Sequence, residues 1–277
     1  MNLRPKVGHI QFLNCMPLYY GLVMNGILLD VELTKGTPTE LNQKLIHGDL
    51  DVSPISSIEY ARNYEKLILL PDITVSADGE VKSILFFSKK PFEKLHNQKI
   101  ALTSTSVTSQ VLLQLIFKEK YSINPRYFIS TPKIGSMLLE GEGALLIGDD
   151  ALKASYELND KLYIYDLGEE WKQLTGHPMV YAVWAAQKKF VLEKLQLARD
   201  VHRAFFYSME YSLKNLDDVA ESASRWEPYS ASYLKEYFLS LNFGFNDKNI
   251  NGLMEFYRLA HKHGYLREIP RLEFLEV

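Results

Sequence analysis

The sequence lacks several features that would assign it to particular classes of protein. It has one cysteine, Cys15, which excludes an internal disulfide and favours a reducing compartment. No run approaches the roughly 20 consecutive apolar residues of a membrane-spanning helix, and the stretch from Met1 to Gly8 lacks the apolar segment of a secretion signal. We therefore expect a cytoplasmic protein without membrane contact.

Signals for nucleic-acid, nucleotide and metal binding are also missing. The net charge is −3, and no basic run is interleaved with aromatic residues, which argues against a nucleic-acid partner. Neither glycine-rich phosphate loop, GxGxxG or GxxxxGK(S/T), occurs. The seven histidines lack metal-ligand spacing. The sequence therefore predicts no metal and no cofactor, and an anionic ligand must be held by local polar groups.

Short apolar segments with the pattern of strands alternate with amphipathic helices through the first two thirds of the chain. In "TPTELNQKLIHG", Thr37 and Glu40 form a capping box, and Ser56 and Glu59 form a second one. From Phe190 onward the apolar residues fall at helical spacing. This order predicts an α/β fold with mixed, mostly parallel sheets and a helical C-terminal region.

Four polar turns follow predicted strands: "FLNCMP", "SPISS", "TSTSVTS" and "IGDD". In parallel sheets, ligands bind beyond the carboxyl ends of the strands, where helix N-termini point. We therefore predict that the four turns meet at one cleft and bind a small anion through hydroxyl and backbone N–H groups.

The third turn, from Thr103 to Ser109, has six hydroxyl residues in seven positions. One serine or threonine is enough to cap a helix, so we assign the others to ligand contact. The predicted substrate-binding residues of the four turns are Ser56, Ser57, Thr105, Ser106, Thr108, Ser109 and Asp149.

Three side chains of these turns have two interpretations each. Asn14 either satisfies its own turn backbone or contacts a ligand. Asp149 and Asp150 either cap the next helix or, for Asp149, contact the ligand. Cys15 has no identifiable histidine or acid partner, so it is interpreted as a small buried side chain rather than a nucleophile.

Five segments carry a resemblance to a known family. They are "GHIQFLNCMPLYYGL", "GTPTELNQKLIHGDLDVSPISSIEYA", "LTSTSVTSQVLL", "ALLIGDDAL" and "DLGEEWKQLTGHPMVYAVWAA", in that order from residue 8 to about 186. The C-terminal stretch "LMEFYRLAHKHGYL" belongs with them. Together they resemble the menaquinone-biosynthesis chorismate dehydratases, the MqnA family.

The resemblance implies a two-lobed, type II periplasmic-binding-protein-like fold, in which crossing strands join two α/β lobes and the ligand lies between them. It implies that residues 1–87 and 182–277 form lobe 1 and that residues 88–181 form lobe 2. A recurring order of helix, glycine, acidic residue, strand, polar turn and helix, seen from Leu41 and again from Ile134, agrees with two lobes built on one plan.

The resemblance also implies a reaction. The family removes water from chorismate to give 3-((1-carboxyvinyl)oxy)benzoate in the futalosine route to menaquinone, without a cofactor. Its asparagine in "FLN" and its serine before the crossing match Asn14 and Ser83, which are thereby implied to be catalytic. We expect one substrate carboxylate at the helix start from Ser104 to Ser109 and the other near Ser56 and Ser57. The motifs offer no strong base, so a substrate carboxylate is expected to take the proton.

Two other functions are compatible with the same fold. The first is 1,4-dihydroxy-6-naphthoate synthase of the same pathway, for which we expect a catalytic histidine in the polar turns; none of the four contains one. The second is a non-catalytic protein that binds a small anion. The sequence leaves the oligomeric state open.

Overall fold

The protein is described by a computed structural model that covers residues 4–26, 30–157 and 162–277. Within these ranges the strands are β1 (Lys6–Ile10), β2 (Glu32–Gly36), β3 (Val52–Ser56), β4 (Leu67–Ala77), β5 (Ile84–Ser88), β6 (Lys99–Thr103), β7 (Arg126–Ser130), β8 (Gly143–Ile147), β9 (Tyr163–Asp166) and β10 (Met179–Gln187). They form two five-stranded sheets, in the orders β2-β1-β3-β10-β4 and β7-β6-β8-β5-β9.

In the same ranges, helices connect the strands and make up most of the C-terminal third of the chain. They are α1 (Met16–Met24), α2 (Pro38–His47), α3 (Ser57–Asn63), α4 (Val107–Glu119), α5 (Ile134–Glu140), α6 (Gly148–Glu157), α7 (Leu167–Thr175), α8 (Lys188–Glu193), α9 (Leu195–Lys214), α10 (Leu216–Ser224), α11 (Ala231–Ser240) and α12 (Asp247–Lys262). Helix α9 packs on α1 and β4, and α12 packs on β10, so the C-terminal helices cover the first sheet. The predicted helical C-terminal region is confirmed.

The two sheets repeat one pairing plan. In the first sheet β1 is parallel to β2 and β3, whereas β10 is antiparallel to β3 and β4. In the second sheet β6 is parallel to β7 and β8, whereas β5 is antiparallel to β8 and β9. The prediction of mixed sheets is confirmed, but parallel pairings do not predominate. The reason is that a strand entering from the other sheet, β10 or β5, runs against its neighbours.

The two chain crossings decide where one lobe ends and the other begins. The boundaries expected from the resemblance, after residues 87 and 181, would divide β5 and β10. All of β5 pairs in the second sheet, and all of β10 pairs in the first. We therefore propose boundaries between β4 and β5 and between α7 and β10, so that each strand stays in the sheet to which it is hydrogen-bonded.

Local capping signals were predicted with mixed success. Thr37 and Glu40 form the predicted capping box of α2, and Gly48 ends that helix with φ at +83°, a conformation that favours glycine. The capping box predicted at Ser56 is wrong: its side chain makes no cap bond and its Oγ instead accepts from Asn42 Nδ2 at 3.0 Å. The Ser56 hydroxyl therefore makes a tertiary hydrogen bond with Asn42 instead of capping α3.

The start of α6 also differs from expectation. Asp149 and Asp150 were possible N-caps, but the helix begins at Gly148 and both aspartates lie in its first turn. Negative side chains there still interact favourably with the helix dipole.

Among the described residues no helix combines the length and apolar character needed to cross a membrane.

Candidate functional site

A small cavity of about 50 Å³ lies where the two lobes meet. Every one of the four polar turns contributes to its wall, as do the crossing strands β5 and β10. The lining residues are Ile10, Phe12, Asn14, Cys15, Pro38, Ser56, Val75, Ile84, Ser106, Ser109, Ile147, Gly148, Tyr181 and Ala182. The fold thus brings together turns that are far apart in the sequence, and it places Asn14, Ser56, Ser106 and Ser109 around one space.

The start of α4 uses its run of hydroxyls in three different ways. Ser106 is the N-cap: its Oγ accepts from the Ser109 backbone N–H at 3.2 Å and donates to Ser109 Oγ at 3.0 Å. Thr105 pairs with Thr103 at 2.8 Å, away from the cavity lining. Thr108 Oγ1 accepts from the Ile58 backbone N–H at 3.2 Å, which joins the starts of α4 and α3 across the lobes. Only the Ser106–Ser109 pair reaches the cavity.

Ser56 and Ser57 are neighbours with different surroundings. Ser56 lines the cavity and is held by Asn42, whose Oδ1 accepts from the Ser56 backbone N–H at 3.0 Å. Ser57 points the other way: its hydroxyl donates to the Val180 carbonyl at 2.6 Å, and its own carbonyl accepts from the Tyr257 hydroxyl. The structure therefore places Ser57 outside the cavity lining, in a fully buried position.

Asn14 presents an unused hydrogen-bond acceptor. It lies in a single 3₁₀ turn, Leu13–Cys15, which leads into α1. Its Oδ1 is buried without a partner among the described residues, although buried amide oxygens are nearly always bonded. Because Asn14 lines the cavity, a ligand there would supply the missing partner. The adjacent Cys15 is buried, which raises the pKa of its thiol and keeps it neutral, as expected for a packing side chain.

Asp149 lies beside the cavity rather than in its wall. Its Oδ1 accepts from the Leu13 backbone N–H at 3.0 Å, a bond between the two lobes immediately before Asn14. The carboxyl faces an outer groove of about 430 Å³, which also contacts Phe12 and Glu227. Burial raises the pKa of Asp149 to about 6; the Leu13 N–H acts against this shift, and the charges of Glu227 and Asp150 add to it.

Ser83 is buried next to the cavity but is not part of its lining. Its hydroxyl lies 3.4 Å from the Val81 carbonyl, and its own carbonyl accepts from the Gly148 backbone N–H at 2.7 Å. The next residue, Ile84, does line the cavity. The structure therefore brings the Ser83 backbone to the site while its hydroxyl points elsewhere.

Two polar residues of the site were not predicted from the sequence. Asn42 holds Ser56, and the signal was a buried-face asparagine between Leu41 and Leu45 of α2. Tyr181 lines the cavity with a buried hydroxyl that has no partner among the described residues. Its position on a crossing strand could be recognised only once the crossing itself was known.

The cavity offers neutral donors and acceptors but no charged side chain. None of its lining residues is a lysine, arginine, aspartate or glutamate. Among the described residues, no group of three or more His, Cys, Asp or Glu side chains is placed to hold a metal ion. An anion in this cavity would rely on hydroxyls and on the free N–H groups at the start of α4.

Comparison with solved structures identifies the fold. A protein from Archaeoglobus fulgidus superposes with a TM-score of 0.76 at 20% identity, covering 94% of this chain and 98% of that one. The periplasmic aliphatic sulphonate binding protein SsuA from Escherichia coli superposes with a TM-score of 0.67 at 12% identity, covering 99% and 94%. At these identities the likeness establishes the periplasmic-binding-protein-like fold alone. The predicted two-lobed fold is confirmed.

Comparison of sequences goes further. The chain is 31% identical to a chorismate dehydratase of Thermus thermophilus over 272 residues, which cover 92% of this chain and 94% of that protein. A family model described as menaquinone biosynthesis matches residues 5–262. The resemblance carried by the five sequence segments is confirmed, and the chain belongs to this menaquinone biosynthesis family.

Proposed function

We propose that this protein is a chorismate dehydratase, a hydro-lyase of the futalosine route to menaquinone that acts in the cytoplasm without a cofactor. The observation that carries the proposal is the unpartnered Asn14 Oδ1 in an uncharged cavity between the lobes. The family membership and the name of the Thermus thermophilus relative support the same substrate.

The proposed reaction makes modest chemical demands on the protein. Chorismate loses its C4 hydroxyl and the hydrogen at C3 as one molecule of water, and the ring becomes aromatic. No electrons are exchanged with a second molecule, and aromatisation supplies the driving force. The protein must hold the ring in the eliminating geometry and assist the leaving hydroxyl. Neutral hydrogen-bonding groups are sufficient for both tasks.

The residues divide these tasks as follows. The C4 hydroxyl donates to Asn14 Oδ1, the acceptor without a partner among the described residues, and this bond orients the hydroxyl for departure. Ser106 and Ser109 receive one substrate carboxylate at the start of α4, and Ser56 receives the other on the facing lobe. A substrate carboxylate takes the C3 proton and passes it to the departing hydroxide, so that one water leaves and the carboxylate is regenerated. Ser83 is assigned as the second catalytic group, with its hydroxyl rotating toward the substrate from its contact with Val81.

The size of the cavity requires the lobes to move. Ligand pockets for molecules of this class have volumes of roughly 300–1,000 Å³, whereas about 50 Å³ holds only a few waters. We therefore assign the described arrangement to a closed state and propose that the lobes separate to admit chorismate.

A direct assay tests the function. The purified protein is incubated with chorismate, and mass spectrometry follows loss of chorismate and appearance of an aromatic product lighter by one water. We expect product with the unaltered protein, a loss of at least 100-fold in kcat with Asn14→Ala, and no change with the exposed control Asn124→Ala. If chorismate survives with the unaltered protein, while calorimetric titration still detects its binding, the protein is a small-anion-binding protein instead.

A further inference from the structure

One carboxylate in the second lobe binds four backbone N–H groups. Asp166 ends β9 and is the N-cap of α7: its Oδ1 accepts from Gly168 N at 2.8 Å and from Glu169 N at 3.2 Å. The same carboxylate accepts from Lys82 N through Oδ2 at 2.7 Å and from Val81 N through both oxygens, at 3.0 and 3.1 Å. Two of the four N–H groups belong to the helix that it caps, and the other two belong to a segment 84 and 85 residues earlier in the chain.

That earlier segment is the first chain crossing, immediately before Ser83. Lys82 has φ at +61°, in the left-handed region, which costs a residue with a side chain about 1–2 kcal/mol. A backbone held in this conformation needs support from its surroundings. Asp166 provides it on the N-terminal side of Ser83, and Gly148 N, which donates to the Ser83 carbonyl at 2.7 Å, provides it on the other side.

Other contacts of the segment are too weak to replace this support. The Lys82 ammonium lies 4.0 Å from the carboxylates of Glu80 and Glu236, both of which are largely exposed. Exposed ion pairs at this distance contribute little. Burial raises the pKa of Asp166, and the N–H groups of Val81, Lys82, Glu169 and Gly168 act in the opposite direction.

We propose that Asp166 is a positioning residue for Ser83: by holding the amides of Val81 and Lys82, its carboxylate fixes the direction in which the Ser83 side chain leaves the crossing. The inference rests on the proposed function, since it gives a catalytic role to Ser83. Asp166 itself does not touch the substrate.

Asp166→Asn breaks the bond to Lys82 N, which Oδ2 alone makes, while the bond from Val81 N to Oδ1 can remain. Asparagine is as good an N-cap as aspartate, so its oxygen can keep the bonds to Gly168 and Glu169. The asparagine NH₂ group then faces the Lys82 N–H. Both groups are donors, so the hydrogen bond that the carboxylate accepted from Lys82 is lost. We expect kcat to fall by about 10- to 100-fold, because small misplacements of a reacting group have effects of this size. KM should stay within threefold. The melting temperature should fall, because a buried donor loses its acceptor.

Asn246→Ala is the matched control for helix capping. Asn246 also accepts from two backbone N–H groups, those of Lys248 and Asn249 at the start of α12, and it has no bond to the crossing. We expect its melting temperature to fall and its kcat to remain that of the unaltered protein. An unchanged kcat in Asp166→Asn would overturn the inference.

Amide hydrogen exchange gives a second measurement that does not depend on turnover. Slow exchange at Val81 and Lys82 in the unaltered chain, becoming fast at Lys82 in Asp166→Asn, supports the inference. Fast exchange at Val81 and Lys82 in the unaltered chain overturns the inference. This measurement needs only the unaltered chain, so it decides the question even if the variant fails to fold. If these amides exchange slowly in the unaltered chain but chorismate is not converted, the result contradicts the proposed function. It leaves the hydrogen bonds of Asp166 intact.

Discussion

At the scale of single residues, the same side-chain type serves different purposes one position apart. Ser56 faces the cavity and Ser57 faces the core, because a strand end and a helix start point consecutive side chains in different directions. The sequence placed both serines in one polar turn and predicted both as substrate contacts. Which of two adjacent hydroxyls meets the ligand depends on packing that the turn composition does not encode.

Ser57→Ala tests this division. The change removes the donor to the Val180 carbonyl in a fully buried place, and we expect a loss of about 1–2 kcal/mol in the free energy of unfolding. The KM for chorismate should be unchanged, whereas Ser56→Ala should raise it. Urea unfolding and steady-state kinetics measure the two effects. A raised KM at unchanged stability for Ser57→Ala would show that Ser57 contacts the substrate.

Asp149 makes stability depend on pH. Its pKa is about 6 in the folded protein, because of burial, and about 3.9 in the unfolded chain. The folded state therefore holds this proton more tightly. The resulting contribution to the free energy of unfolding is fully present below pH 4 and is lost as the pH rises through 6.

Asp149→Asn keeps an acceptor for Leu13 N and removes the titration. We expect the variant to gain up to about 3 kcal/mol relative to the unaltered protein between pH 4 and 7.5. A difference that is the same at both pH values would contradict this, as measured by urea unfolding.

At the scale of elements, the start of α4 combines a structural and a binding role in one side chain. Ser106 caps the helix and also lines the cavity. Ser106→Ala should cost about 1 kcal/mol of stability and raise KM about tenfold, the loss expected for one hydrogen bond to a charged group.

Ser230 is the matched control: it caps α11 through Tyr233 N and is absent from the cavity lining. Ser230→Ala should therefore lower the melting temperature similarly and leave KM unchanged; a similar KM for both variants would contradict the binding role.

The elements also show where prediction from sequence succeeds. The α2 capping box and its glycine stop follow from residues within one helix, and local chemistry is enough to find them. The direction of β5 and β10 within their sheets depends on where the chain re-enters a distant layer, and no local pattern records this. The role of Asp166 is not encoded locally for the same reason, since two of the four N–H groups that it binds lie in a segment far from it in the sequence.

At the scale of the whole molecule, hydrogen bonds between the lobes surround the cavity. Thr39 Oγ1 donates to the Ser104 carbonyl at 3.1 Å, and the bonds from Leu13 N to Asp149 and from Ile58 N to Thr108 also cross between the lobes. All three must break when the lobes separate. We call the edge of the cavity where these three bonds cross the rim. A covalent link between the lobes at the rim should therefore prevent substrate entry.

A cross-link tests the need for opening. Thr39→Cys combined with Ser104→Cys places two thiols at the rim, and a short disulfide-forming thiol reagent can join them, while the native Cys15 is buried. We expect the cross-linked protein to lose at least nine tenths of its chorismate turnover and to regain it on reduction. The single-cysteine variants treated in the same way should stay active. Full turnover by the cross-linked form would show that the closed arrangement admits substrate.

The position of β10 sets the order in which the halves of the molecule can be completed. In the first sheet β10 lies between β3 and β4, so these two strands have no direct pairing to each other. As a ribosome synthesises the chain, β1 to β4 emerge first, but β3 and β4 lack their shared neighbour until residue 187 is made. The second sheet is continuous from β5 to β9 and can be complete by then. The lobe that is begun first is therefore finished last, and its unpaired strand edges stay exposed while the other lobe is being made.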